Sequence, residues 1–152
     1  MGAQHLFALA VLAGLLQPSP ACAEALEGPV AARVERVIDG DTVEVRARIW
    51  IDQELTVAVR IAGVDAPELF RPACAAEKAK ALEAKAFATE FFEGGEARLR
   101  DVRHDKYGGR VVARLENSAG DDLGEALVAA GLAARGLSGA WCDVGESGLR
   151  SD

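Results

Sequence analysis

The chain has 152 residues, with 17 Lys and Arg against 24 Asp and Glu, a net charge of −7, three cysteines and two histidines. The acid excess argues against a broad electrostatic grip on nucleic acid, where neutralisation of phosphates by basic side chains supplies most of the affinity, so a polyanionic substrate would need a local basic surface. Past residue 23 one histidine and two cysteines remain, too few for a usual Cys/His zinc site, and no Gly-x-Ser-x-Gly nucleophile elbow occurs. Residues 1–23 contain no Lys, Arg, Asp or Glu, and residues 6–16 (LFALAVLAGLL) form an apolar run. That run is too short to span a bilayer but suits the core of a signal peptide. Ala21-Cys22-Ala23 supplies a small-x-small cleavage pattern, so removal before Glu24 and export to the periplasm or medium are expected. A buried helix and a lipoprotein anchored at Cys22 are the competing readings.

Residues 24–31 read as a flexible leader, 32–142 as one domain with a single core, and 143–152 as a tail. Past the leader only His104, Cys74 and Cys142 remain of their kinds. An even cysteine pair in an oxidising compartment reads as one structural disulfide closing a long loop, worth about 2–4 kcal/mol, against two free buried thiols. His104 reads as a loop or strand-edge residue. Any metal is then hard and oxygen-bound: calcium, magnesium or manganese.

Residues 32–38, 43–49 and 55–61 alternate apolar with charged side chains and predict three consecutive antiparallel strands. Residues 74–92 are alanine-rich, lack Gly and Pro, and predict a helix stopped at Gly94-Gly95. Ala75, Ala79, Leu82 and Ala86 form its expected buried face, with Phe87 and Phe91 as adjoining core anchors. Residues 97–102 and 111–115 give two more strands. Asp122-Leu123-Gly124-Glu125 resembles a capping box for a second helix that stops at Gly131. The order fits a mainly β, α+β fold: a five-stranded antiparallel Greek-key barrel of the OB type with two helices, whose loops and open face commonly bind oligonucleotides.

Three blocks carry the chemistry: Asp39-Gly40-Asp41-Thr42, residues 60–68 (RIAGVDAPE) and residues 105–110 (DKYGGR). Singly, each is an ordinary turn or strand exit. Jointly, they place carboxylates and arginines at the ends of strands in one predicted sheet. Hard oxygen ligands beside two guanidiniums suit a divalent cation and a phosphodiester, because forked arginine donors match phosphate oxygens and a carboxylate can orient or deprotonate water.

In this ordered combination the chain resembles the staphylococcal nuclease (thermonuclease) family, as a secreted bacterial homologue, over roughly residues 32–135; residues 125–133 match the family's later helix. The resemblance implies that Asp41 and Asp65 ligate calcium with the backbone carbonyl of Ala66. It implies that Glu68 is the carboxylate near the attacking water and that Arg60 and Arg110 clamp the phosphate. Lys106 and Tyr107 would contact a neighbouring phosphate. It further implies calcium-dependent endonuclease-class hydrolysis of DNA and RNA with little sequence preference, leaving 3′-phosphate ends. The expected product is a monomer with no membrane association once the leader is cleaved. Three departures stand out. One more glycine, Gly109, precedes Arg110 than in the archetypal member, the family aromatic expected near Leu137 is missing, and no long third helix is expected in the few residues after Trp141-Cys142. The Cys74–Cys142 bridge is expected to substitute for that helix, and Trp141 is expected to pack beside it. The alternatives are a non-catalytic OB-type nucleic-acid-binding module with a decayed site, which the acidity and the displaced arginine favour, and a disulfide-stapled envelope protein that docks other proteins.

Overall fold

The computed structural model describes residues 25–136 and 140–142; the expected signal peptide, Leu137 and the tail lie outside the described residues. Five long strands form a closed barrel: β1 (Val30–Asp39), β2 (Thr42–Trp50), β3 (Gln53–Ile61), β5 (Glu96–His104) and β6 (Arg110–Glu116), ordered β1-β2-β3-β6-β5. A two-residue pair, β4 (Val64–Asp65) with β7 (Ala134–Arg135), lies outside the barrel. Helix α1 (Ala75–Phe91) precedes β5, and α2 (Leu123–Ala129) follows β6. No helix among the described residues is long and apolar enough to cross a membrane.

The expected barrel with its two helices is present, but its strands are not all antiparallel. β3 and β6 pair in parallel, from Ala58 opposite Arg110 to Ile61 opposite Ala113, while the other barrel pairs are antiparallel. A ring of five strands cannot alternate direction all the way round, so closure demands at least one parallel seam. β1 also begins two residues earlier than expected. Upstream of it, Leu26 exchanges backbone bonds of 2.9 and 2.8 Å with Val102, so part of the stretch read as leader is tied to β5.

Alternation sends Val43, Val45 and Ala47 of β2, Val59 and Ile61 of β3, Leu99 of β5, and Ala113 and Leu115 of β6 into the core. Leu123 and Leu127 of α2 cap it. Helix α1 buries Ala81, Ala84 and Ala88, followed by Phe92, at helical spacing, whereas Ala75, Ala79, Leu82 and Ala86 face solvent. The expected face was wrong because alanine lies on every side of this helix and its periodicity carries little contrast. Phe87 and Phe91 pack half-buried against the core, as expected. Cys74 caps the helix, its Sγ accepting from Glu77 N, and Asp122 Oδ1 accepts from Glu125 N at 3.0 Å to start α2.

Candidate active site

The β1–β2 turn and the exit of β3 lie together at one end of the barrel, and the offset register of the parallel β3–β6 pair, with Arg110 opposite Ala58 and Val112 opposite Arg60, brings the β5–β6 loop beside them. In the first turn Asp39 Oδ1 accepts from Asp41 N at 3.2 Å, and Gly40 is buried against α1. Asp41 is almost wholly enclosed. Its Oδ2 accepts from Ala66 N at 2.7 Å, and its Oδ1 accepts from the Thr42 hydroxyl and makes an ion pair with Arg60 Nη1. Arg60 stands opposite Thr42 in the β2–β3 ladder, which fixes its approach. Its Nη2 reaches Val64 O at 3.3 Å and Asp65 Oδ1 at 3.2 Å. One guanidinium therefore joins the two aspartates, and the Asp65–Ala66 peptide lies beside Asp41.

After Asp65 the chain turns through the fully buried Pro67 to the exposed Glu68, whose Oε1 accepts from Phe70 N at 2.9 Å. Glu77 reaches back from the first turn of α1: its Oε1 accepts from Glu68 N at 3.1 Å and its Oε2 from Ala73 N at 2.6 Å. In the β5–β6 loop Gly109 adopts φ +78°, a left-handed conformation that glycine takes without a side-chain penalty. The extra glycine does not carry Arg110 out of the site. Arg110 Nε contacts Asp105 Oδ2, and the guanidinium carbon stands 5.1 Å from the centre of the Tyr107 ring, with Lys106 Nζ 5.0 Å from the same ring.

Asp105 sits partly buried. Burial pushes its carboxyl up, but Arg110, through a hydrogen bond and its charge, and the amides of Lys106 and Tyr107 together outweigh that, so it is held below the ordinary aspartate value. Asp39 shows the opposite balance. Burial raises its carboxyl, with the Glu68 charge adding, and neither the Thr42 hydrogen bonds nor the Arg60 charge cancels the rise.

Arg60, Glu68, Arg110, Asp41, Asp65, Ala66, Lys106 and Tyr107, all expected from the sequence, line one cleft of about 590 Å³. Asp39, Glu77 and Trp141 line it as well. Asp39 belongs to the first of the three sequence blocks without a role of its own there, and nothing local in the sequence marks Glu77. Trp141 lies beside the Cys74–Cys142 bridge as expected, but it also faces the cleft. The walls carry six carboxylates and three cations, so an anionic substrate would meet net negative charge unless a cation entered with it. The donors beside Arg60 are aspartate oxygens and a threonine hydroxyl, which fit calcium or magnesium and not a soft metal. A trio of ligating side chains among the described residues, Cys74, Glu77 and Cys142, lies within 4.8 Å, but its two sulfurs are joined to each other. A family model described as staphylococcal nuclease homologue matches residues 58–138. No curated protein matches the chain.

Proposed function

From the chain's membership of the staphylococcal nuclease homologue family, we propose that it is a calcium-dependent enzyme hydrolysing DNA and RNA phosphodiesters with little sequence preference and leaving 3′-phosphate ends. The observation that carries this reading is the meeting of Asp41, Asp65, Arg60, Glu68 and Arg110 in one cleft from three separate chain segments. Asp41, Asp65 and the Ala66 carbonyl would hold the ion, which when bound supplies Lewis-acid stabilisation of charge on the phosphate. Arg60 and Arg110 bind the phosphate oxygens and counter the charge that grows on them in the transition state, each worth about 3–6 kcal/mol of barrier. Glu68, exposed at the mouth, takes the proton of the attacking water. Lys106 and Tyr107 hold the neighbouring phosphate and so keep the scissile one in register. The Cys74–Cys142 disulfide supports an exported protein, secreted or periplasmic, and we take the working unit to be a monomer.

The test is Glu68→Gln on single-stranded DNA with calcium and with excess EGTA. The expected result is calcium-dependent cleavage by the wild type and a fall in kcat of about 100-fold or more in the variant, with binding retained. Cleavage that ignores EGTA removes the calcium assignment. Nucleic-acid binding with no cleavage by either form returns the alternative, a non-catalytic OB-type module.

A further inference from the structure

A net-negative protein with an acidic cleft still needs positive surface to hold a polyanion, and the outward side of the barrel provides it. Because Val43, Val45 and Ala47 point inward, Arg46 and Arg48 of β2 point out. The ladder places Arg46 beside Arg33 of β1 and Thr56 of β3, and places Arg48 beside Glu54. The same side of β3 continues through Ala58 to Arg60 of the cleft. From Arg60 to Glu54 is about 20 Å at roughly 3.3 Å per strand residue, a span that about six nucleotides cover at the rise of a stacked strand.

A groove of about 420 Å³ on this face is lined by Arg33, Arg46, Arg48 and Arg98, with Glu54 and Glu96 as its carboxylates. Arg46 is partly engaged, with Glu35 at 3.0 Å and Glu54 at 3.9 Å, and Arg98 donates to the carbonyls of Asn117 and Ser118. Arg33 and Arg48 make no ion pair among the described residues. The groove shares Arg48 and Glu54 with a depression at the β2–β3 hairpin tip, where Trp50 is 70 % exposed.

We infer that this arginine groove and Trp50 bind the flank of a single-stranded nucleic acid whose scissile phosphate lies in the acidic cleft. The placement of that phosphate rests on the proposed nuclease reading. The arginines neutralise phosphates, and Trp50 stacks an unpaired base, which a duplex does not offer. A bilayer fits the tip poorly. Asp52, at the hairpin apex with φ +59°, would be driven into the membrane first. A second copy docking here would bring like-charged arginines together.

The full chain in EDTA is titrated with a fluorescent single strand long enough to span groove and cleft, using the wild type, the double variant Arg33→Ser/Arg48→Ser, and Trp50→Ser. Separately, turnover of a dinucleotide is measured with calcium. Each variant should bind the long strand about 10-fold or more weakly, and in the double variant the slope of log affinity against log salt should shrink by about 1.4. Dinucleotide kcat/KM should be unchanged, because these side chains lie beyond its reach. Unchanged long-strand affinity and salt slope in both variants overturns the inference, whatever the enzyme does. Weakened long-strand binding in the variants, with no dinucleotide cleavage by the wild type, keeps the groove and removes the nuclease reading. If instead the variants lose binding to phosphatidylglycerol vesicles, or lose self-association by sedimentation, while still holding the strand, the face belongs to a membrane or to a second copy and the inference fails.

Discussion

Glu77 is only 8 % exposed, and both of its oxygens are spent on backbone amides, those of Glu68 and Ala73. A hydrogen bond to a charged group contributes about 1.5–3 kcal/mol, and leaving a buried amide without an acceptor costs a similar amount. Glu77 therefore acts as a positioning residue: it fixes the start of the segment carrying Glu68 without touching a substrate itself. Replacing Glu77 with Gln keeps the shape and one acceptor oxygen. Kinetics of that variant should show kcat lowered about 10-fold with KM nearly unchanged, since the phosphate-binding side chains stay in place. Denaturant unfolding of Glu77→Ala should show a loss of about 2–4 kcal/mol. Unchanged kcat in Glu77→Gln alongside that loss would make Glu77 a stability residue alone. No sequence pattern announces this role, because a helix-start glutamate normally serves its own helix, and only the folded loop shows which amides it receives.

At the scale of elements, the β1–β2 turn is pressed between helix α1 and the Asp65–Pro67 segment. A Cβ built on Gly40 meets the Ala84 Cβ at 2.7 Å and the Ala66 Cβ at 2.9 Å. Gly40→Ala should therefore push α1 and the Ala66 segment apart, costing about 1–3 kcal/mol and loosening the seat of Asp41 next door. Thermal unfolding and calcium titration check both effects. Ala84→Gly placed in the same chain should recover part of the stability even though glycine weakens a helix by about 1 kcal/mol, because it removes one of the two collisions. Stability losses that simply add would show that the turn shifts without strain. The sequence made the long strands legible because their alternation has strong contrast, and Asp122 showed the start of α2 through its cap. It did not show the buried face of α1, where alanines on every side leave little to distinguish one from another. The parallel β3–β6 seam was hidden because pairing across a helix leaves no local signal, and β4 and β7 are too short to have a period. The candidate site was legible because its residues cluster at strand ends, where turn chemistry and catalytic chemistry use the same letters.

For the molecule as a whole, the disulfide closes the chain on itself. Cys142 lies 68 residues beyond Cys74, yet the two Cα atoms are 6.0 Å apart, which ties the end of the described chain to the start of α1. Trp141 is thereby placed on the wall of the cleft, with Lys80 Nζ 5.4 Å from its ring. Loop-closure entropy for a separation of this size amounts to about 4 kcal/mol, an upper value that native strain and residual structure in the unfolded chain reduce. A substitution at Cys74 alone would confuse two effects, because its sulfur also caps α1. Cys74→Ser/Cys142→Ser avoids this, since serine is itself a good N-cap, and the variant isolates the bridge. Its melting temperature should lie about 10 °C below that of the oxidised wild type, the shift expected for 2–4 kcal/mol in a domain of this size. Adding reductant should bring the wild type down to the same temperature and leave the variant unmoved. Wild-type melting that does not change, with thiol titration confirming that the bridge has opened, would show that the barrel and its two helices hold the fold without it.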